Sequence, residues 1–209
     1  MGISDGIKTA TIEGNRDKTL LLIGQALDAG MQPGDIIQEG LIAGMTVVGE
    51  RFKSGEIYVP EMLIAARAMK AGLEKLRPLL VGKTVDSLAT VVLGTVKGDL
   101  HDIGKNLVAI MLEGAGCKVV DIGVDAPPDR FIGAIREHRP EFVGISALLT
   151  TTLPTMRETI AAFETAGIRK SVKVLVGGAP VTQKFADEIG ADGYAGNAAE
   201  VADKIRSLK

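Results

Sequence analysis

Apolar positions follow two different periods along this chain. Through the first eighty or so residues they recur at helical spacing. A short candidate helix covers about Ile3 to Ile12. Leu20, Ile23, Ala26 and Leu27 mark a second, which Gly30 ends. Pro33 suits the first turn of a third, carried by Ile36, Ile37, Leu41, Met45 and Val48 and broken at Phe52-Lys53-Ser54-Gly55. Pro60 opens a fourth with an apolar face of Met62, Leu63, Ala66, Met69, Leu73 and Leu76, and Pro78 closes it. Four helices with short connections predict a small antiparallel bundle.

After Lys83 the period changes. Ala89–Val96, Lys118–Val124, Phe142–Leu148 and Val172–Val176 are short β-rich apolar runs, and a weaker strand lies near Gly193–Ala195. Helical stretches follow them at Lys105–Glu113, Asp129–His138, Pro154–Ala166, Thr182–Ile189 and Glu200–Leu208. Buried-looking strands alternating with helices predict an α/β fold with a doubly wound parallel sheet of the Rossmann or flavodoxin type. The expected organisation is a helical domain over 1–84 and an α/β domain over 85–209. The stretch 77–87, with Pro78, Gly82 and then polar residues, reads as the hinge. In such sheets ligands bind beyond the carboxyl ends of the strands, near the point where strand order reverses. The loops beginning at Lys97, Leu148, Gly177 and Ala195 are therefore the ones to inspect.

Composition narrows the function. The 24 basic and 26 acidic residues nearly balance, which leaves no electrostatic footprint for nucleic acid or an anionic membrane. Seven aromatics without a Trp make poor base-stacking platforms. The single Cys117 excludes an internal disulfide and suits a reducing compartment. There is no apolar run of membrane-spanning length, and the amino terminus has no signal-like segment, so a cytoplasmic location is expected.

The loop after the first strand reads Gly98-Asp99-Leu100-His101-Asp102-Ile103-Gly104-Lys105-Asn106. A phosphate-binding P-loop needs four residues between its glycines and a Ser or Thr after the Lys; here five intervene and Asn106 follows. Metal-dependent phosphohydrolases require several histidines, and the one other here, His138, sits between basic residues in a helical tail. Zinc lacks ligands too. What remains is an Asp and a His two apart on a glycine-flanked loop. An imidazole binds a metal through one nitrogen while a carboxylate holds the other, and Asp99 is placed to be that carboxylate. Gly98 and Gly104 would let a large planar ligand approach the backbone. Taken alone, such a loop is more often structural or phosphate-binding than metal-ligating.

The remaining loops change that reading. The third strand leads into Ser146-Ala147-Leu148-Leu149-Thr150-Thr151-Thr152 and the fourth into Gly177-Gly178-Ala179-Pro180. Asp-x-His-x-x-Gly, then Ser-x-Leu, then Gly-Gly, each after its strand, resembles the cobalamin-binding domain of methionine synthase and its relatives. The helical region ahead, with Gly49-Glu50-Arg51-Phe52 and Tyr58-Val59-Pro60-Glu61-Met62, is similar to that family's cap.

The resemblance implies cobalamin as cofactor, as methylcobalamin in the loaded state, with its benzimidazole tail off the metal and inside the sheet domain. It implies His101 as the axial cobalt ligand, Asp99 as its hydrogen-bond partner and Thr152 as a hydroxyl extending the relay. Gly98, Leu100, Asp102, Ile103 and Gly104 would complete the cofactor loop. Ser146, Leu148, Thr150, Gly177, Gly178, Ala179 and Ala198 match positions around the tail. Gly177-Gly178 is also readable as an ordinary strand-to-helix turn. Phe52, Val59 and Met62 match cap side chains over the corrin, with plain bundle core as the other reading.

A chain that begins at the cap and ends with the sheet domain resembles the free-standing corrinoid proteins of anaerobic bacteria and methanogens. These carry methyl groups between two enzymes. The implied partners are a substrate-specific methyltransferase (for methanol, methylamines, betaines or aryl methyl ethers), a second methyltransferase using tetrahydrofolate or coenzyme M, and a reductive activation protein. A cobalamin-dependent regulator and the small subunit of a cobalamin mutase are the alternative readings.

Overall fold

The computed structural model describes residues 2–80 and 87–209, so the expected boundary between 84 and 85 lies outside the described residues, as does most of the stretch read as a hinge. The described chain forms two compact units, one almost wholly within the residues up to Ser87 and one from Leu88 onward.

The first unit is helical. In α1 (Ile3–Ile12) the Asp5 carboxylate turns back to accept the Gly2 N–H at 3.1 Å. The Asn15 side chain caps α2 (Arg16–Asp28) by accepting the Lys18 N–H at 3.1 Å, and Gly30 at φ 82° lets the chain leave it. Helix α3 (Pro33–Asp35) then continues through a π-helical segment (Ile36–Ile42) into α4 (Ala43–Lys53).

That segment is absent from the sequence expectation of a single α-helix, and the spacing of its core side explains it. Ile36, Gly40, Gly44 and Val48 are buried at strict intervals of four, as are Ile37, Leu41 and Met45. In an α-helix such a row drifts about 40° per interval, because four residues overshoot one turn of 3.6. The wider i→i+5 turns correct the drift in the opposite sense and keep the row facing α1. The approach is close: a Cβ on Gly40 would lie 2.7 Å from Ile7 Cγ2. The Glu61 carboxylate accepts the Tyr58 N–H at 3.1 Å at the start of α5 (Val59–Leu76), and a 3₁₀ turn (Arg77–Leu80) follows. These rods make the expected four-helix arrangement, with Ile7, Ile23, Leu41, Met62 and Leu76 fully enclosed.

The second unit alternates β1 (Thr90–Thr95), α6 (Ile103–Gly114), β2 (Lys118–Asp121), α7 (Pro128–His138), β3 (Phe142–Ser146), α8 (Leu153–Thr165), β4 (Lys173–Gly177), α9 (Gln183–Glu188), β5 (Gly193–Ala195) and α10 (Val201–Leu208). All strand pairs are parallel and the order is β2-β1-β3-β4-β5, which is the doubly wound sheet expected. Alternate residues go to opposite faces. Val92, Val143, Ile145, Val174 and Val176 pack with α7, α8 and α9, while Val91, Phe142 and Leu175 pack with α6 and α10. Strand β2 is shorter than its apolar run suggested: the Asp121 carboxylate accepts the Gly123 N–H at 2.8 Å and Gly123 turns at φ 84°. Among the described residues no helix is long and apolar enough to cross a membrane.

Two glycines of the motif loops differ in what the fold demands. Gly178 adopts φ 125°, and a Cβ there would fall 1.8 Å from the Ala147 carbonyl oxygen. A Cβ on Gly104 would meet nothing within 4 Å, so the protein itself gives no reason for glycine there. Gly178→Ala should therefore destabilise the apoprotein by at least about 3 kcal/mol in urea unfolding. Gly104→Ala should leave it within about 1 kcal/mol of wild type. Equal costs at the two positions would contradict this assignment.

Candidate functional site

Strand order reverses between β1 and β3, so the loops that follow these strands open a crevice at the carboxyl edge of the sheet. One side chain ties the two loops together. Asp99, on the β1 loop, has no exposed surface. Its Oδ2 accepts the Leu148 N–H at 2.7 Å, the Leu149 N–H at 3.3 Å and the Thr152 hydroxyl at 3.0 Å, all from the β3 loop. Its Oδ1 accepts the His101 N–H at 3.1 Å and lies 2.8 Å from His101 Nδ1. Burial alone would push this carboxyl up. The hydrogen bonds from the Leu148 N–H, the His101 ring and N–H and the Thr152 hydroxyl outweigh burial and hold it down at about 2, against an ordinary 3.8.

An ionised carboxylate only accepts, so Nδ1 of His101 carries the proton and donates. Nε2 is then the nitrogen with a free lone pair. The imidazole is half-exposed, at 51%. A buried anion thus orients an accessible imidazole with its basic nitrogen available, the arrangement that suits metal ligation. Around it the apolar side chains stand in solvent: Leu100 at 73%, Ile103 at 76%, with Leu148 and Leu149 also exposed.

The loop is anchored from beneath and from the β2 side as well. The Thr95 hydroxyl, fully buried at the end of β1, donates to the His101 carbonyl at 3.0 Å. The Gly98 N–H donates to Asp125 Oδ1 at 2.7 Å, and the Asp125 N–H donates to the Asp99 carbonyl at 3.0 Å. Lys105, nearly buried in the first turn of α6, pairs with Asp121 and donates to Asn106 Oδ1 at 2.9 Å. Asp102 accepts the Asn106 N–H at its carbonyl and the Asn106 Nδ2–H at its carboxylate, 3.1 Å away, and so starts that helix. Sequence reasoning missed Thr95, Asp121 and Asp125. Asp121-x-Gly123 and Asp125 before Ala126-Pro127 are turn signals, yet their approach to the β1 loop is a consequence of strand pairing that no local pattern displays.

The structure brings Asp99, His101 and Thr152 into one hydrogen-bonded set. Thr95, Ser146, Gly177 and Ala195 are in register across β1, β3, β4 and β5, forming a row of small residues at the sheet's carboxyl edge. Beyond that row lie Gly178 and the exposed Ala179, and half-buried Ala198 opens a 3₁₀ turn capped by Asn197. Thr150 is exposed in the 3₁₀ turn Thr150–Thr152. In the helical unit Phe52 and Val59 are half-buried, whereas Met62 is fully enclosed. The open space at Gly104, the exposed apolar rim and the small-residue row all fit a large, flat, partly apolar cofactor with one metal position to be filled by a single imidazole.

Because the Asp99 pKa in the folded chain lies below its ordinary value, its stabilising effect is complete above about pH 4 and is lost as pH falls toward 2. The shift from 3.8 to about 2 corresponds to about 2 kcal/mol. In urea unfolding, the stability advantage of wild-type apoprotein over Asp99→Asn should shrink by roughly 1–2 kcal/mol between about pH 5 and pH 2. A gap that does not change with pH would show that the charge of Asp99 does not stabilise the fold.

Comparison with known proteins gives the same answer for both units. Residues 89–203 match the B12 binding domain family, and residues 3–77 match a second family also described as B12 binding domain. The chain is 44% identical to dimethylamine corrinoid protein 1 of Methanosarcina acetivorans over 200 residues, 95% of this chain and 93% of that protein. It is 45% identical to trimethylamine corrinoid protein 1 of the same organism over 186 residues, 88% of this chain and 86% of that protein. Its fold superposes on a chain of the methanol:cobalamin methyltransferase complex from Methanosarcina barkeri with a TM-score of 0.91 and 31% identity, covering 99% of this chain and 79% of that one. With a B12-binding helical region, a B12-binding sheet domain and full-length likeness to corrinoid proteins, the chain belongs to the cobalamin-binding corrinoid protein family.

Proposed function

We propose that this protein is the methyl-carrying subunit of a multi-protein methyltransferase system, and that His101 is the protein ligand to its cobalt. The observation that carries the reading is the oriented imidazole: Asp99, buried and ionised, holds the Nδ1 proton, which leaves Nε2 of a half-exposed ring to bind metal. Cobalamin, when bound, supplies a cobalt centre able to take a methyl group from one molecule and release it to another.

The chain's own residues bind, orient and exclude water. Thr152 donates to the Asp99 oxygen that faces away from His101, which steadies the carboxylate whether or not the imidazole is engaged. Leu100, Ile103 and Leu148 offer exposed apolar surface for the macrocycle, and Gly98 and Gly104 leave room along the backbone. Ser146, Thr150, Gly177, Gly178, Ala179 and Ala198 would accept the nucleotide tail along the small-residue edge. From the helical unit, Phe52 and Val59 would shield the methyl group, whereas Met62 is fully enclosed.

Substrate choice lies with partners. Relatives named for dimethylamine and for trimethylamine are 44% and 45% identical to this chain, and one fold match belongs to a methanol system, which supports leaving the choice of methyl donor to the partner. A methylamine or methanol methyltransferase is the proposed donor-side partner. A second methyltransferase passing the methyl to tetrahydrofolate or coenzyme M, and a reductive activation protein, complete the proposed system, which would operate in the cytoplasm.

The test is transfer by parts. The isolated protein, loaded with cobalamin and reduced, should demethylate no methylamine or methanol at a useful rate, and adding a cognate methyltransferase should establish transfer. Phe52→Ala should speed photolysis of the methyl-loaded chain while leaving cofactor binding intact. Efficient turnover of a methyl donor by this chain alone would overturn the carrier reading.

A further inference from the structure

We propose that Asp125, on the loop after β2, is a positioning residue for the histidine loop. It fixes from the β2 side the same segment that Asp99 fixes from the β3 side. The inference rests on the reading of His101 as ligand, but the clamp itself is a property of the chain alone.

Asp125 grips both sides of Asp99. Its carboxylate accepts the N–H of Gly98, the residue before Asp99, at 2.7 Å. Its own N–H donates to the carbonyl of Asp99 at 3.0 Å. Together these bonds fix the Lys97–Gly98 and Asp99–Leu100 peptide groups. The Asp99 N–H donates to the Val96 carbonyl at 3.1 Å and fixes the peptide between them, so the direction in which the Asp99 side chain leaves the backbone is set. Asp99 in turn sets the imidazole. An error at Asp125 is therefore passed to the ring through Asp99.

The backbone supports the assignment. Asp125 adopts φ 49°, in the left-handed region, and among the described residues only Arg139 shares that feature outside glycine. Asp tolerates this conformation better than most residues, but glycine would adopt it without strain. An Asp in a conformation that glycine would adopt without strain points to a use for its side chain, and that side chain accepts the Gly98 N–H. The segment is also delivered rigidly. The Thr95 N–H donates to the Gly123 carbonyl at 3.0 Å, the Ala126 N–H to the Thr95 carbonyl at 2.9 Å, and Val96 bridges Ala126. At the start of the same loop, Asp121 holds both the Gly123 N–H and Lys105 of α6. Because Asp125 is exposed, its hydrogen bond adds little to overall stability, and its consequence is geometric.

The experiment compares Asp125→Gly, which keeps the backbone conformation and removes the carboxylate, with Asp125→Asn, which keeps an acceptor. Apoproteins are titrated with hydroxocobalamin, and histidine-nitrogen coupling is read from electron paramagnetic resonance of the reduced cobalt(II) samples. Exchange of the Gly98 amide is measured in the apoproteins. Asp125→Gly should bind cobalamin roughly 10-fold more weakly or worse, show a smaller fraction with histidine coupling, and exchange the Gly98 amide faster. Its urea midpoint should match wild type, and Asp125→Asn should restore all three readouts. Were Asp125→Gly too unstable to study, Asp125→Ala against Asp125→Asn makes the same comparison. Wild-type histidine coupling and unchanged Gly98 exchange in the variant lacking the carboxylate would overturn the proposal, as would a lowered midpoint alone. If wild-type protein itself shows no histidine coupling, the ligand reading fails, and Gly98 exchange still decides the clamp: faster in Asp125→Gly supports it, unchanged refutes it.

Discussion

A carboxylate without solvent is expensive unless donors surround it, and Asp99 is surrounded. Its two oxygens lie within hydrogen-bonding distance of the Leu148 and Leu149 amides, the Thr152 hydroxyl, and the amide and ring nitrogen of His101. None of these groups can withdraw without leaving a buried negative charge short of a partner. The loops after β1 and β3 are held together for this reason, at the one place where the strand order reverses and two loops diverge. The low pKa expresses the same constraint: the anion is the form that the surroundings are built to hold.

From that anion the chemistry of the site follows in sequence. A permanently accepting oxygen fixes the tautomer of His101, the tautomer makes Nε2 the basic nitrogen, and the exposure of the ring makes Nε2 reachable. Apolar neighbours then favour a ligand that covers them. Burying the exposed Leu100 and Ile103 side chains would contribute about 2 kcal/mol each, so a broad apolar ligand gains binding from residues that do nothing for the apoprotein. Such a division would suit the proposed carrier: affinity would come from the loop and the sheet edge, and the reacting ligand position would be left to the cofactor and to proteins that dock on it.

Much of this was readable along the chain, and the limits were physical. Helix positions followed from apolar spacing and from Gly30, Pro33 and Pro60, because local chemistry decides where helices start and stop. The strands were legible as short apolar runs, and the motif residues Asp99, His101 and Thr152 could be placed in the loops beyond them. The π-helical segment at Ile36–Ile42 was hidden, since a row spaced by four passes for an ordinary helix until its drift over three intervals is counted. Strand β2 was overextended because Ile122 and Val124 look like strand, whereas the Asp121 carboxylate bonding the Gly123 amide ends it. Asp125 was invisible as a site residue because its partner, Gly98, lies on a loop that only strand pairing brings near, and Thr95 because it reads as an ordinary strand residue until the loop it precedes folds back onto it.

The central claim is that Nε2 of His101 binds the cobalt, and one measurement reaches it directly. Protein labelled with ¹⁵N-histidine, reconstituted with cobalamin and reduced to cobalt(II), is compared with unlabelled protein and with His101→Ala by electron paramagnetic resonance. The account predicts a histidine nitrogen splitting that changes from three lines to two on labelling and vanishes in His101→Ala. A splitting insensitive to the label, or one that survives in His101→Ala, would contradict it.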